Sequence, residues 1–185
     1  MRLTEPRITP LSDDELTDEQ AEVIAPIVER GGVVPHVITT LMRNMPLFTS
    51  FNVLGRYIMS DSSLEPRLRE ILIMRVGWNT NCEYQWGQHV RMSASAGLTS
   101  EDHVRIKAGA GAEGWTELES ALITAVDELI TDTMISDKTW ATLSRHLSTE
   151  QLTDTIFTVG HYNMVAMSLN SLGVQPEPGL AGFDA

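Results

Sequence analysis

The sequence holds a single cysteine, Cys82. One thiol excludes an internal disulfide and any zinc cage built from several cysteines. Basic residues are also scarce, 13 against 25 acidic ones, for a net charge of −12. A field of that sign repels nucleic acid and anionic membrane, and it repels anionic ligands at long range. Long apolar runs are missing, with none near the roughly 20 residues that span a bilayer. The opening MRLTEPRITPLSDDE has no apolar stretch of the kind a secretory signal needs. From these absences the expectation is a cytoplasmic protein with neither nucleic-acid nor membrane partners. There is no alternating β pattern, internal repeat or linker either. What remains is a chain of 185 residues, 42% of them hydrophobic. That suits one domain over residues 1–185, with a core over 30–175 and a Pro/Gly-rich C-terminal tail.

What is present is helical punctuation. Thr17 and Gln20 stand in capping-box spacing before an apolar stretch that Gly31 and Gly32 stop, and Pro26 is expected to kink or divide it. A short helix begins at Pro35 and ends before Pro46. Leu47, Phe51, Leu54 and Ile58 follow on one helical face. A helix from Pro66 runs to about Trp78, the NTN of residues 79–81 reads as a turn, and a helix begun near Cys82 runs to Gly97. Thr99/Asp102, Thr116/Glu119, Ser136 and Ser148/Gln151 mark four further helix starts. The last of these helices, apolar on most sides, is expected to be the most buried or to form a subunit interface. The tail VQPEPGLAGFDA reads as extended. The fold class expected is all-α, a helical bundle built around an antiparallel hairpin at about residues 65–97.

That hairpin carries the chemistry. Glu70 lies nine residues before Asn79 and His89 eight after Asn81, so both sit roughly 12–14 Å from the turn at 1.5 Å per residue. They are level on adjacent helices, and matching faces would bring carboxylate and imidazole together. Such a pair fixes the imidazole tautomer and prepares it as a general acid or base. Cys82 falls in the first turn of its helix, where the dipole favours a thiolate. It is seven residues from His89, about 10 Å along the axis, too far for a hydrogen bond within one helix. Cys82, Gln85 and His89 share a face at i, i+3, i+7 and could line one pocket.

Plainer roles compete with these. A lone helical histidine is usually structural, and a lone cysteine usually packs as a small hydrophobe. Tyr84 and Trp86 are more often packing residues than ligand platforms. His161 and Tyr162 interrupt the most apolar helix, either as a satisfied core pair or as the polar lining of a pocket, with the pocket favoured. His36, His103 and His146 sit in ordinary polar contexts. No two histidines stand at i, i+3 or i+4, so no metal is expected.

The stretch LEPRLREILIMRVGWNTNCEYQWGQHVRMSASAGLTSED resembles the core of the carboxymuconolactone decarboxylase family, which includes the alkylhydroperoxidase D proteins. Its flanks agree, and the resemblance covers about residues 30–178, in the manner of the family's longer branch. It implies an all-α fold, homo-oligomers (commonly trimers or hexamers, with a dimer also considered) and pockets near subunit contacts. The peroxidase branch carries a glutamate, Cys-x-x-Cys and a histidine. On this chain these fall on Glu70, Cys82, Gln85 and His89, so glutamine stands where the peroxide-attacking thiol belongs, and a dithiol cycle cannot run. The decarboxylase branch implies acid–base chemistry without a cofactor, with His89 as proton donor oriented by Glu70, on a small lactone or aromatic-derived acid. Decarboxylation, isomerisation, cyclisation and elimination all fit it. That chemistry also calls for a cation to hold the substrate carboxylate. Arg75, about 140° around the helix from Glu70, does not share its face. The alternatives are a one-cysteine hydroperoxide reductase using Cys82, and a non-catalytic oligomeric binder of small molecules.

Overall fold

The computed structural model describes residues 3–184. Among them every regular element is a helix, with no strand. The helices are α1 (Asp18–Val28), α2 (His36–Leu41), α3 (Met45–Arg56), α4 (Pro66–Asn79), α5 (Glu83–Ser93), α6 (Ser100–Ala108), α7 (Glu117–Thr131), α8 (Asp137–His146) and α9 (Thr149–Leu172).

Capping chemistry sets most of these starts. Thr17, Thr99, Thr116 and Ser148 each close a full capping box, and Ser136 accepts from the amide of Thr139. Pro66 occupies the first turn of α4, where its missing N–H costs nothing. Pro26 does not divide α1: it falls in the last turn before Val28.

The most buried helix is α4, not α9. Eight of its 14 residues are buried, from Leu68 to Gly77, on every side of the helix. One side joins Leu68, Leu72, Ile73 and Val76 to Leu122, Val126, Leu143 and Val159 of α7, α8 and α9. The other joins Ile71 and Met74 to Trp86, Ile106 and Ile123. By contrast, α9 leaves Phe157, Met164 and Met167 exposed. The expected stripe on α3 is also shifted. Leu47 is 56% exposed while Phe48 is buried, and a π-helical turn at Tyr57–Asp61 carries the chain on to bury Ile58.

Two polar clusters tie the helices together. Arg67 of α4 donates to Glu119 Oε1 at 2.8 Å, to both carboxylate oxygens of Asp102 at 3.0 and 3.1 Å, and to the carbonyl of Gly97. Asp102 and Glu119 are the capping-box acids of α6 and α7, so one guanidinium holds two helix starts. Asp154 of α9 accepts from Tyr57, Ser62 and Ser63, including the Ser63 amide at 2.7 Å.

The C-terminal segment is extended but not loose. It folds back across α5 as a strap. Glu177 accepts from Tyr84 at 2.6 Å, from Gln88 at 2.7 Å and from the amide of His36. Phe183 packs edge-on to Trp78 and tilted against Trp86, and its carbonyl accepts from Lys107. Between them the chain crosses Gly87, where a Cβ would lie only 2.3 Å from the carbonyl oxygen of Ala181.

Candidate active site

The α4–α5 connection is tight. Thr80 hydrogen-bonds the carbonyl of Val76, Asn81 takes a left-handed conformation (φ 51°), and the Cys82 amide bonds the carbonyl of Gly77. This turn brings the two helices together antiparallel and sets His89 Nδ1 2.7 Å from Glu70 Oε2. Both side chains are buried, Glu70 to 1% exposure and His89 to 5%. The other Glu70 oxygen lies 3.8 Å from Nε of Arg69. In the neutral ring, a carboxylate accepting from Nδ1–H leaves Nε2 as the nitrogen with the lone pair. Among the described residues Nε2 makes no hydrogen bond.

His89 opens on a cavity of about 330 Å3. Its walls come from α2, α3, α5 and α9, with Val37, Ile38, Phe51, Met59, Val165 and Leu169 as the apolar part. Of the residues singled out from the sequence, Tyr84, Gln85, His89, His161 and Tyr162 all line it. Tyr162 stands between the two imidazoles, its ring 5.1 Å from that of His89 and 5.4 Å from that of His161, nearly perpendicular to each. His161 stacks on Phe51 at 4.8 Å, and its Nε2 lies over Gly55. Burial alone pushes the His161 pKa down, which keeps the ring neutral. Burial and then the Glu70 charge push the Tyr162 phenol up, and its hydroxyl donates to Met59 Sδ at 3.1 Å. Tyr84 is likewise held protonated by burial and by Glu177.

Two sequence candidates are placed elsewhere. Cys82 precedes α5 as its N-cap rather than lying in its first turn, and it is fully buried with Tyr84, Ala166, Leu169 and Val174. It does not line the cavity. Trp86 faces the opposite side of α5, packed with Ile71, Met74 and Ile106. Gln85 donates from Nε2 to the carbonyl of Ile73 at 3.0 Å, clipping α5 to α4. Arg75 is committed to Asp127 and to the carbonyl of Ile106. His103 is not in a plain polar context: it is buried, bonded to Ser93 Oγ at 2.9 Å, and its pKa is lowered by burial and then by Lys107. Sequence reasoning missed Met59, Asn52 and Gln88 as lining residues, and the strap residue Glu177 behind Tyr84. The acid in PEPG was the one available signal for Glu177, since a charge in an apolar tail needs a partner. Among the described residues no cluster of His, Cys, Asp and Glu is arranged to hold a metal, and no helix is long and apolar enough to cross a membrane.

Three solved structures share the fold. An uncharacterized peroxidase-related protein from Ralstonia eutropha JMP134, described as an alkylhydroperoxidase AhpD core, is 16% identical, with 95% of this chain and 94% of that chain covered and a TM-score of 0.83. A peroxidase-related protein from Silicibacter sp. TM1040 is 17% identical, with 98% and 99% covered and a TM-score of 0.82. The debrominase Bmp8 is 17% identical, with 92% of each chain covered and a TM-score of 0.76. At these identities the likeness is one of fold. Residues 46–128, from α3 into α7 and including Glu70 and His89, match the carboxymuconolactone decarboxylase family. No curated protein matches the sequence.

Proposed function

We propose that this chain is a side-chain acid–base enzyme, in which Nε2 of His89 moves a proton to or from a small substrate held in the cavity. The observation that carries this is the buried 2.7 Å contact between His89 and Glu70 at the wall of a ligand-sized space. Glu70 orients the ring and stabilises the imidazolium that forms when Nε2 takes a proton, and the same ion then returns the proton to carbon or oxygen. Enolisation and elimination need one transfer to Nε2, isomerisation a transfer each way, and loss of CO2, once the C–C bond has broken, delivery of a proton from the imidazolium to the carbanion left behind. The lyase assignment is the family's expectation among them.

The thiol routes find less support. The fold occurs in a debrominase, and a complex of a cysteine-to-alanine variant of that protein with 2,3,4-tribromopyrrole shows a fold neighbour with a bound ring. Fold alone does not carry its chemistry across. Here the only thiol is buried outside the cavity, and Gln85 stands on the cavity wall.

A neutral carbon acid tests the reading without knowledge of the natural substrate. 5-Nitrobenzisoxazole opens by simple proton abstraction to a coloured phenolate. Wild-type protein should accelerate the opening over buffer, and His89→Ala should lower the rate by about 10²–10⁴-fold. Glu70→Gln should lower it less. Undiminished turnover by His89→Ala would overturn the proposal.

A further inference from the structure

The cavity wall is one-sided in its hydrogen bonding. No lysine, arginine, aspartate or glutamate lines it among the described residues. The nearby cations are turned elsewhere: Arg69 toward Glu70, Arg75 toward Asp127, and Arg91 into a separate cleft beneath the strap. The donors on the inner wall are also committed, and only the amide of Asn52, at the exposed rim, is left over. Tyr162 gives its proton to Met59. Tyr84 gives its proton to Glu177, and Gln88 donates to Tyr84 and Glu177.

The acceptors are left over. The carbonyl of Ile73 can only accept, so the amide of Gln85 must present Nε2 to it. That leaves Oε1 buried with no partner. Nδ1 of His161 is buried without a partner as well, in a side chain only 5% exposed, and it accepts in the tautomer that carries the proton on Nε2. With Nδ1–H given to Glu70, His89 offers a lone pair at Nε2. Buried polar groups left unpaired cost free energy until something satisfies them.

From this pattern we infer that the cavity takes an uncharged, ring-sized molecule that donates an O–H or N–H, such as a phenol, enol or pyrrole-type ring, and not a carboxylate. An anion would bring further lone pairs to the unpaired acceptors of Gln85 and His89, with no cation to receive it and a net charge of −12 around it. The apolar lining of Phe51, Met59, Val165 and Leu169 takes the ring faces. The inference rests on reading this cavity as the reacting site, and of the reactions proposed above it keeps enolisation, isomerisation and elimination and sets aside loss of CO2 from a carboxylate.

The test is equilibrium binding, which does not depend on turnover. Three ligands share one ring: 4-methylphenol, 4-methylanisole and 4-methylbenzoate, titrated calorimetrically at pH 7.5. The phenol should bind at least about tenfold more tightly than the anisole, which lacks the donor, and than the benzoate, which is charged. His161→Phe and Gln85→Met should each erode the preference of phenol over anisole while circular dichroism stays native. Asn52→Arg, at an exposed position on the cavity rim, should strengthen benzoate binding relative to the phenol. Equal or tighter binding of the benzoate by wild type, no preference for the phenol over the anisole, or no binding of any of the three at millimolar concentration would each overturn the inference. If the phenol preference holds while His89→Ala keeps full benzisoxazole turnover, the ligand class stands and the acid–base reading falls. The reverse pair of results separates them the other way.

Discussion

At the scale of single residues, His161 is a buried base with no counter-charge. Its neighbours are Phe51, Gly55 and Tyr162, none of them charged. Its folded pKa lies below the ordinary histidine value because burial disfavours the cation. Between the two values the unfolded chain binds more protons than the folded one, so stability rises with pH there. This contribution is fully present above about pH 6.5, the ordinary histidine pKa, and is lost as pH falls through the folded value. Urea midpoints should therefore drop from pH 7.5 to 5, and His161→Phe should drop less over the same range. Part of the slope should remain, since His103 is lowered too, chiefly by its burial. The Glu70–His89 contact was legible in the sequence because the turn at 79–81 sets the register and helical rise does the rest. The misplacement of Cys82 has an equally local cause. Asn81 takes the left-handed conformation, which starts the helix one residue later and leaves Cys82 non-helical at φ −99°.

At the scale of elements, the helix starts were the most legible feature, because capping is local. Thr99/Asp102 and Thr116/Glu119 needed only their own spacing to be read. What spacing could not show is that Arg67, 35 residues from one acid and 52 from the other, reaches both. Although burial raises Asp102, its hydrogen bonds to Arg67 and the Thr99 amide outweigh this and hold the carboxyl well below the usual range. Removing the guanidinium would leave two buried carboxylates without their shared cation. Arg67→Met should therefore cost about 3 kcal/mol of unfolding free energy, measured by chemical denaturation at pH 7. The ranking of α4 over α9 as the central helix also escaped the sequence. Both are apolar around most of their circumference, and only packing decides that α4 is covered on all sides while α9 keeps one flank in solvent.

At the scale of the whole molecule, the segment after α9 is part of the architecture rather than an appendage. Its seat on α5 depends on the absence of a side chain at Gly87, since the atom a Cβ would meet is backbone oxygen and cannot swing away. Gly87→Ala should lower the unfolding free energy by about 1–3 kcal/mol and speed proteolytic cutting between 174 and 184. Limited digestion followed by mass spectrometry reads both the site and the rate. Composition had marked this segment as Pro/Gly-rich and extended, but glutamate, leucine and phenylalanine at the right intervals turn an extended chain into a clasp. The clasp also imposes an order in time. Of the described residues it is made last, and until it arrives the hydroxyl of Tyr84 has no Glu177 and the ring of Trp86 has no Phe183. The helical bundle can assemble during synthesis, yet the α5 wall of the cavity is finished only when the final dozen of these residues have emerged. Until then a nascent chain is a folded bundle in which Tyr84 and Gln88, on the cavity wall, lack the carboxylate that anchors them.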